Sequence, residues 1–256
     1  MRKSFYNIYT DTLDENEALS LCSETLKGNK CKSLFFINAH CFNVAQKNIE
    51  YRNALLNSDF VLNDGIGIKI AGILARIKFK ENLNGTDLIP KIIELSAKQK
   101  KKIYILGSKK EIIVKTKENL ENLVSNIEII GVHDGYFSDS DIPEIIKDIN
   151  NTKADILIIG MGVPRQEIWI DKYKSQLNTV KLCIAGGAII DFISGEIKRA
   201  PKWIRNINME WAYRLYIEPG RMWKRYIIGN NLFFFYILLY KLGLKASIKQ
   251  NTIDHI

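Results

Sequence analysis

Short, nearly continuous apolar runs recur along the chain as far as residue 185, with helix-like stretches between them. The runs are residues 33–38 (SLFFIN), 60–64 (FVLND), 102–107 (KIYILG), 127–132 (IEIIGV), 155–160 (DILIIG) and 180–185 (VKLCIA). Each has the length of a strand. Several lack the apolar–polar alternation of a strand with one wet face, which marks strands covered on both sides. Residues 86–102 and 109–124 instead repeat their apolar positions at helical spacing. This β-α-β-α succession predicts an α/β fold, a Rossmann-like, doubly wound and mostly parallel sheet with helices on both faces. Upstream, residues 3–10 predict an edge strand and residues 15–27 a helix. No internal repeat or low-complexity linker interrupts the series.

The pattern changes after Gly195. Residues 196–225 mix basic and aromatic side chains at helical spacing, and residues 232–240 (LFFFYILLY) are nine apolar residues in a row. Crossing a bilayer takes about twenty. Gly229-Asn230-Asn231 stops the run from extending backwards and Lys241 ends it forwards. The run is thus expected to lie in a membrane interface, flanked by Lys, Arg and Trp. Packing on the body, or on a second copy in a homo-oligomer, is the alternative. The chain divides accordingly into a core, residues 1–194, and a basic, partly hydrophobic helical appendage, residues 195–256.

Charge follows the same division. Of the net +9, residues 195–256 carry eleven Lys/Arg against four Asp/Glu, a surplus of seven, which leaves two for the rest. A near-neutral body with a basic tail calls for an anionic partner there: nucleic acid, a phosphorylated ligand or anionic lipid. The greasy run favours lipid over nucleic acid, with peripheral membrane contact through residues 196–240. Met1-Arg2-Lys3 is followed by no apolar h-region, which predicts a cytoplasmic location at the inner membrane face. Cys22, Cys31, Cys41 and Cys183 form no Cys-x-x-Cys pair, so reduced thiols are expected and no structural metal.

Ligands of open parallel sheets bind beyond the carboxyl ends of the strands. Those ends carry Asn38-Ala39-His40, Asn63-Asp64-Gly65, Gly107-Ser108, the segment from Gly160 to Pro164, and Ala185-Gly186-Gly187. Glycine there permits close backbone approach to a phosphate or sugar. Asp64 closes an apolar strand and is placed to take a proton from an attacking hydroxyl, or to cap the next helix. Gln166 and Glu167 open a helix after Pro164. Asp139-Ser140-Asp141 spells the metal-binding Asp-x-Asp triplet, but it stands just before a helix with Pro143 in its first turn, so capping is the better reading. Neither a complete Gly-x-Gly-x-x-Gly fingerprint nor a phosphate loop is present, which argues against dinucleotide and NTPase chemistry.

Taken in order, these segments resemble the WecG/TagA/CpsF glycosyltransferase family. The matching stretches are FINAHCFNVA (36–45), LNDGIGI (62–68), NGTDLIP (84–90), LGSKKE (106–111) and HDGYF (133–137). IGMGVPRQEIWI (159–170), GGAIIDFISGEIKRAPKW (186–203), EWAYRLYIEPGRMWKRY (210–226) and GNNLFFF (229–235) complete the set. The resemblance implies inverting transfer from a UDP-sugar, N-acetylmannosamine foremost, to an undecaprenyl-diphosphate-linked acceptor in teichoic acid or capsule synthesis. No cofactor and no metal are implied. Carried over, the general base falls on Asp64 and the substrate contacts on Asn38 and Gln166, with Gly107, Pro164, Gly186 and Gly187 beside them. The diphosphate arginines fall on Arg214, Arg221 and Arg225. Where the family carries Arg in Glu-Arg-Val-x-Gly-x-Asp this chain has Asn82, and Phe36 replaces a usual Thr. Those departures keep open a sugar-nucleotide-binding protein without turnover, or a member using another UDP-hexose. A chain cut after about Gly195 is expected to fold and to be nearly inactive.

Overall fold

The computed structural model describes residues 2–207 and 209–247, apart from the side chains of Asn206 and Arg221. Eight strands form one sheet: β1 (Arg2–Phe5), β2 (Ile8–Asp11), β3 (Lys32–Ile37), β4 (Phe60–Asn63), β5 (Lys102–Gly107), β6 (Glu128–His133), β7 (Ile156–Gly160) and β8 (Leu182–Ala185). Their spatial order is β1-β2-β4-β3-β8-β7-β5-β6. Only the β1–β2 pairing is antiparallel. The expected single edge strand over residues 3–10 is a hairpin instead. Tyr6 stands at φ 57 and turns the chain back at Tyr6-Asn7, a break that hydrophobic pattern alone does not reveal.

The helices are α1 (Glu15–Thr25), α2 (Ala39–Lys47), α3 (Ile49–Asn57), α4 (Ile66–Leu74), α5 (Gly85–Lys98), α6 (Lys110–Leu123), α7 (Ile142–Thr152) and α8 (Arg165–Tyr173). After them come α9 (Ile189–Ile193), α10 (Lys202–Asn206), α11 (Glu210–Ile217), α12 (Pro219–Trp223) and α13 (Gly229–Lys241). Asn38, Asn48 and Asn84 each accept a backbone N–H through the side chain and so start α2, α3 and α5. Asp14 and Glu17 form a reciprocal capping box at α1.

The strands alternate between two cores. Phe35, Ile37, Leu106, Leu157 and Ile159 face one side, packed under α2, α3, α4, α7 and α8. Leu34, Phe36, Ile105, Ile156 and Ile158 face the other, under α1, α5, α6 and α9. Cover on both faces explains why these strands read as continuous apolar runs. The tail joins the first core: Phe233, Ile237 and Tyr240 of α13 are buried there, with the Phe233 ring edge-on to Phe42 at 5.3 Å. Gly229 does not stop the helix. A π-helical turn over Lys224–Ile228 runs into α13 without a break, because a helical φ suits glycine as it does other residues. Among the described residues no helix is long and apolar enough to cross a membrane.

Candidate active site

The carboxyl ends of β3, β4, β5, β7 and β8 open into one cleft of ≈ 1350 Å³. Asn38, Asp64, Ser108, Gln166 and Gly187 line its body side, while Trp211, Arg214, Met222 and Arg225 close it from the tail.

Asp64 leaves β4 with its N–H donating to the Ile37 carbonyl at 2.8 Å, the last rung of the parallel ladder. Gly65, at φ 93, then turns the chain into α4 and leaves the carboxylate at the strand end. The capping alternative is not used. The Gly65 N–H donates to Asn82 Oδ1 at 2.6 Å, and no side chain caps α4. Asn38 fixes the carboxylate from the neighbouring strand. Its Oδ1 accepts the Cys41 N–H at 3.0 Å, so its Nδ2 faces Asp64 and donates to Oδ2 at 3.2 Å. Burial raises the Asp64 pKa above the ordinary carboxylate value. The Asn38 bond and the charges of Arg225 and Arg214 oppose that rise, while Glu210 adds to it. A carboxylate raised in this way is a stronger proton acceptor. Beside it, burial and the charge of Arg225 push His40 down to about 4, so the ring is neutral at pH 7.

Gln166 ties two loops together. Its Oε1 accepts the Gly162 N–H at 3.2 Å and the Gly187 N–H at 3.1 Å, and its Nε2 donates to Glu167 Oε1 at 2.8 Å. The amide is therefore occupied by the protein on both sides. Glu167 is buried beneath it; desolvation pushes its pKa up to about 7, and its Oε2 has no hydrogen-bond partner among the described residues. Gly186 and Gly187 line the cleft, whereas of Gly107 and Pro164 only the chain neighbours Ser108, Val163 and Arg165 do so. Gly107 is needed for packing: at φ 140, a Cβ there would lie 2.4 Å from the Gly160 carbonyl oxygen. Ser108, next to it, does reach the cleft and donates to Asp191 Oδ1 at 2.9 Å. No signal in the sequence joined that pair, which lies 83 positions apart.

The tail arginines divide into two groups. Arg199 and Arg205 are held by the body: both donate to Asp87 Oδ1, at 2.7 and 3.0 Å, and Arg199 also pairs with Glu210. Asp87 is legible in the sequence only as part of a motif, since its two arginine partners lie more than a hundred residues away. Arg214 and Arg225 border the cleft with their Nε atoms buried and unpartnered among the described residues. Arg214 stacks over Phe192 at 5.3 Å. The side chain of Arg221 lies outside the described residues. The Asp-x-Asp triplet stands away from the cleft. Asp141 Oδ2 accepts from the Ser138 N–H and hydroxyl at 2.8 and 2.7 Å, part of a capping box on the single 3-10 turn Asp139–Asp141, while α7, which the triplet is expected to cap, has no side-chain cap. Among the described residues no group of three His, Cys, Asp or Glu side chains is arranged to hold a metal.

The profile of the glycosyl transferase WecG/TagA/CpsF family matches residues 3–247. The chain belongs to this family. Among its relatives is the N-acetylglucosaminyldiphosphoundecaprenol N-acetyl-beta-D-mannosaminyltransferase of Bacillus subtilis (strain 168), 33% identical over 189 residues, 74% of this chain and 72% of that protein. The protein of the same name from Bacillus spizizenii (strain ATCC 23059 / NRRL B-14472 / W23) is 32% identical over 181 residues, 71% of this chain and 69% of its own length. Against this WecG/TagA/CpsF background the two replaced positions have defined local roles. Asn82 accepts the N–H of Gly65, the residue just before α4, and Phe36 packs against Gly85, where a Cβ would meet its ring at 3.3 Å.

Proposed function

We propose that this glycosyltransferase inverts the anomeric centre of a UDP-sugar, most simply UDP-N-acetylmannosamine, while moving the sugar onto an undecaprenyl-diphosphate-linked acceptor at the inner face of the membrane. The observation that carries the reading is a half-buried strand-end carboxylate, Asp64, in one cleft with Arg214 and Arg225, whose buried Nε atoms have no hydrogen-bond partner among the described residues. Pockets for single small ligands run to about 1,000 Å³, so a cleft of ≈ 1350 Å³ has room for donor and acceptor sugar together.

In this reading the acceptor oxygen attacks the anomeric carbon as the bond to the UDP oxygen breaks, and the acceptor proton passes to Asp64. Asn38 orients that carboxylate. Negative charge grows on the leaving diphosphate, where Arg214 and Arg225 stabilise it by charge-assisted hydrogen bonds. The names of the two Bacillus relatives support the sugar and the lipid class. The division into a body of residues 1–194 and a membrane-docking appendage of residues 195–256 belongs to the same proposal.

The test is UDP release by the full-length protein with a polyprenyl-diphosphate N-acetylglucosamine acceptor and a panel of UDP-sugars, with and without EDTA. Acceptor-dependent release that survives EDTA and falls at least about a thousandfold in Asp64→Ala, in the range for losing a general base, is the expected result. Tight UDP binding with no release for any donor would instead identify a binding protein without turnover.

A further inference from the structure

Two basic, apolar stretches of this chain that contain no Asp or Glu lie side by side in the fold. Residues 65–80 carry Lys69, Arg76, Lys78 and Lys80; residues 219–247 carry Arg221, Lys224, Arg225, Lys241 and Lys245. Each stretch contains a helix that is apolar nearly all round. In α4, Ile68, Ala71 and Gly72 face the core, while Ile66, Ile70, Ile73 and Leu74 form an outer stripe, with Ile73 69% exposed. In α13, Phe233, Ile237 and Tyr240 face inwards, and Phe234, Phe235 and Leu238 face out. The helices touch: a Cβ on Gly67 would stand 3.7 Å from the Phe233 ring. Ile66, Ile70 and Phe234 also line the cleft, so the apolar face runs on into the site.

A helix that is hydrophobic on every side belongs in a core or in lipid. We propose that the outer stripe of α4 is a second membrane-docking element, and that α4 and α13 together seat the protein on an anionic bilayer with the cleft opening at the headgroups. The partner class rests on the membrane reading above; the new content is a docking element inside the body, far from the tail in sequence. Lengths of about 14 and 20 Å, against a hydrocarbon core of about 30 Å, make both helices lie flat rather than span. Charge selects lipid over a second copy. Lys69, Arg76 and Lys78 are exposed around the stripe, so an isologous dimer would set like charges against each other, whereas an anionic surface attracts them all.

The experiment uses the full-length protein and sedimentation with phosphatidylcholine vesicles, with and without phosphatidylglycerol. Ile73→Glu is compared with Leu238→Glu on α13. Ile73 does not line the cleft, so turnover on a water-soluble short-chain acceptor, together with an unchanged melting curve, reports that the variant is intact. The expected result is strong wild-type binding only with phosphatidylglycerol, weakened at least about tenfold by Ile73→Glu, the factor expected for withdrawing one isoleucine side chain from apolar contact. Loss of binding in Leu238→Glu but not in Ile73→Glu would overturn the proposal. So would a dimer-to-monomer change in Ile73→Glu with vesicle binding intact, which would make the stripe an interface between copies. Wild type that ignores anionic vesicles would refute both this proposal and the membrane reading, while the short-chain assay would still judge sugar transfer.

Discussion

One amide serves two masters at Asn38. Its oxygen starts α2 and its nitrogen holds Asp64, so the helix cap dictates how the carboxylate is presented. Asn38→Ser separates the roles, since serine caps nearly as well but carries no amide to reach Asp64. A hydrogen bond to the charged form lowers a carboxylate pKa, so its loss raises that of Asp64. The acid limb of kcat/KM should move to higher pH, with kcat/KM near neutrality down about tenfold, ~1.4 kcal/mol. An unmoved limb would separate Asn38 from the proton acceptor. Glu167, a buried carboxyl that accepts from Gln166 through one oxygen, carries a different consequence. Its pKa rises from 4.5 to about 7 on folding. Below 4.5 both folded and unfolded chains hold the proton and the group contributes no pH dependence. Between 4.5 and about 7 the unfolded chain ionises first, so stability falls as pH rises; above about 7 the loss is complete. Urea midpoints at pH 5 and pH 8 should therefore differ more in wild type than in Glu167→Gln, and equal differences would mean that the carboxyl is ionised in the fold.

At the scale of elements, α13 has two loyalties. Its inner edge completes the core under Phe42 and Tyr6, and Tyr240 also donates to Gln46 Oε1 at 2.8 Å. Phe233→Ala should cost about 3–5 kcal/mol of unfolding free energy, as for other buried aromatics cut to alanine. Chemical denaturation would register it, and a loss near zero would mean that the tail is not docked in solution. A chain cut after Gly195 would bare the same surface, which adds a stability cost to the loss of activity expected from the arginines. The strand periods were easy to read because burial on both faces leaves an unmixed apolar signal. α2 and α3 were not assigned from pattern, since their few buried positions are mixed with Asn, Gln and Lys, and their Asn caps are ordinary loop residues out of context. The hairpin at Tyr6 was hidden because a tyrosine, not a glycine, takes the left-handed turn.

For the molecule as a whole, topology did most of the work. A parallel sheet collects its carboxyl-terminal strand ends on one rim, so the placing of Asn38, Asp64 and Gly187 around a single cleft follows from the order of strands in the sequence. Contacts across long separations were beyond reach: Asp87 with Arg199 and Arg205, and Ser108 with Asp191. Gly107 and Pro164 share that rim without being among the residues that line the cleft, a distinction that strand-end position alone does not carry.

Gln166 has a further consequence. One carbonyl oxygen is the common anchor of the loops after β7 and β8, so neither loop can drift without slackening the other. Changes in donor preference should accordingly arrive as correlated pairs of substitutions, one on each side of that shared anchor, and single exchanges in either loop should disturb both.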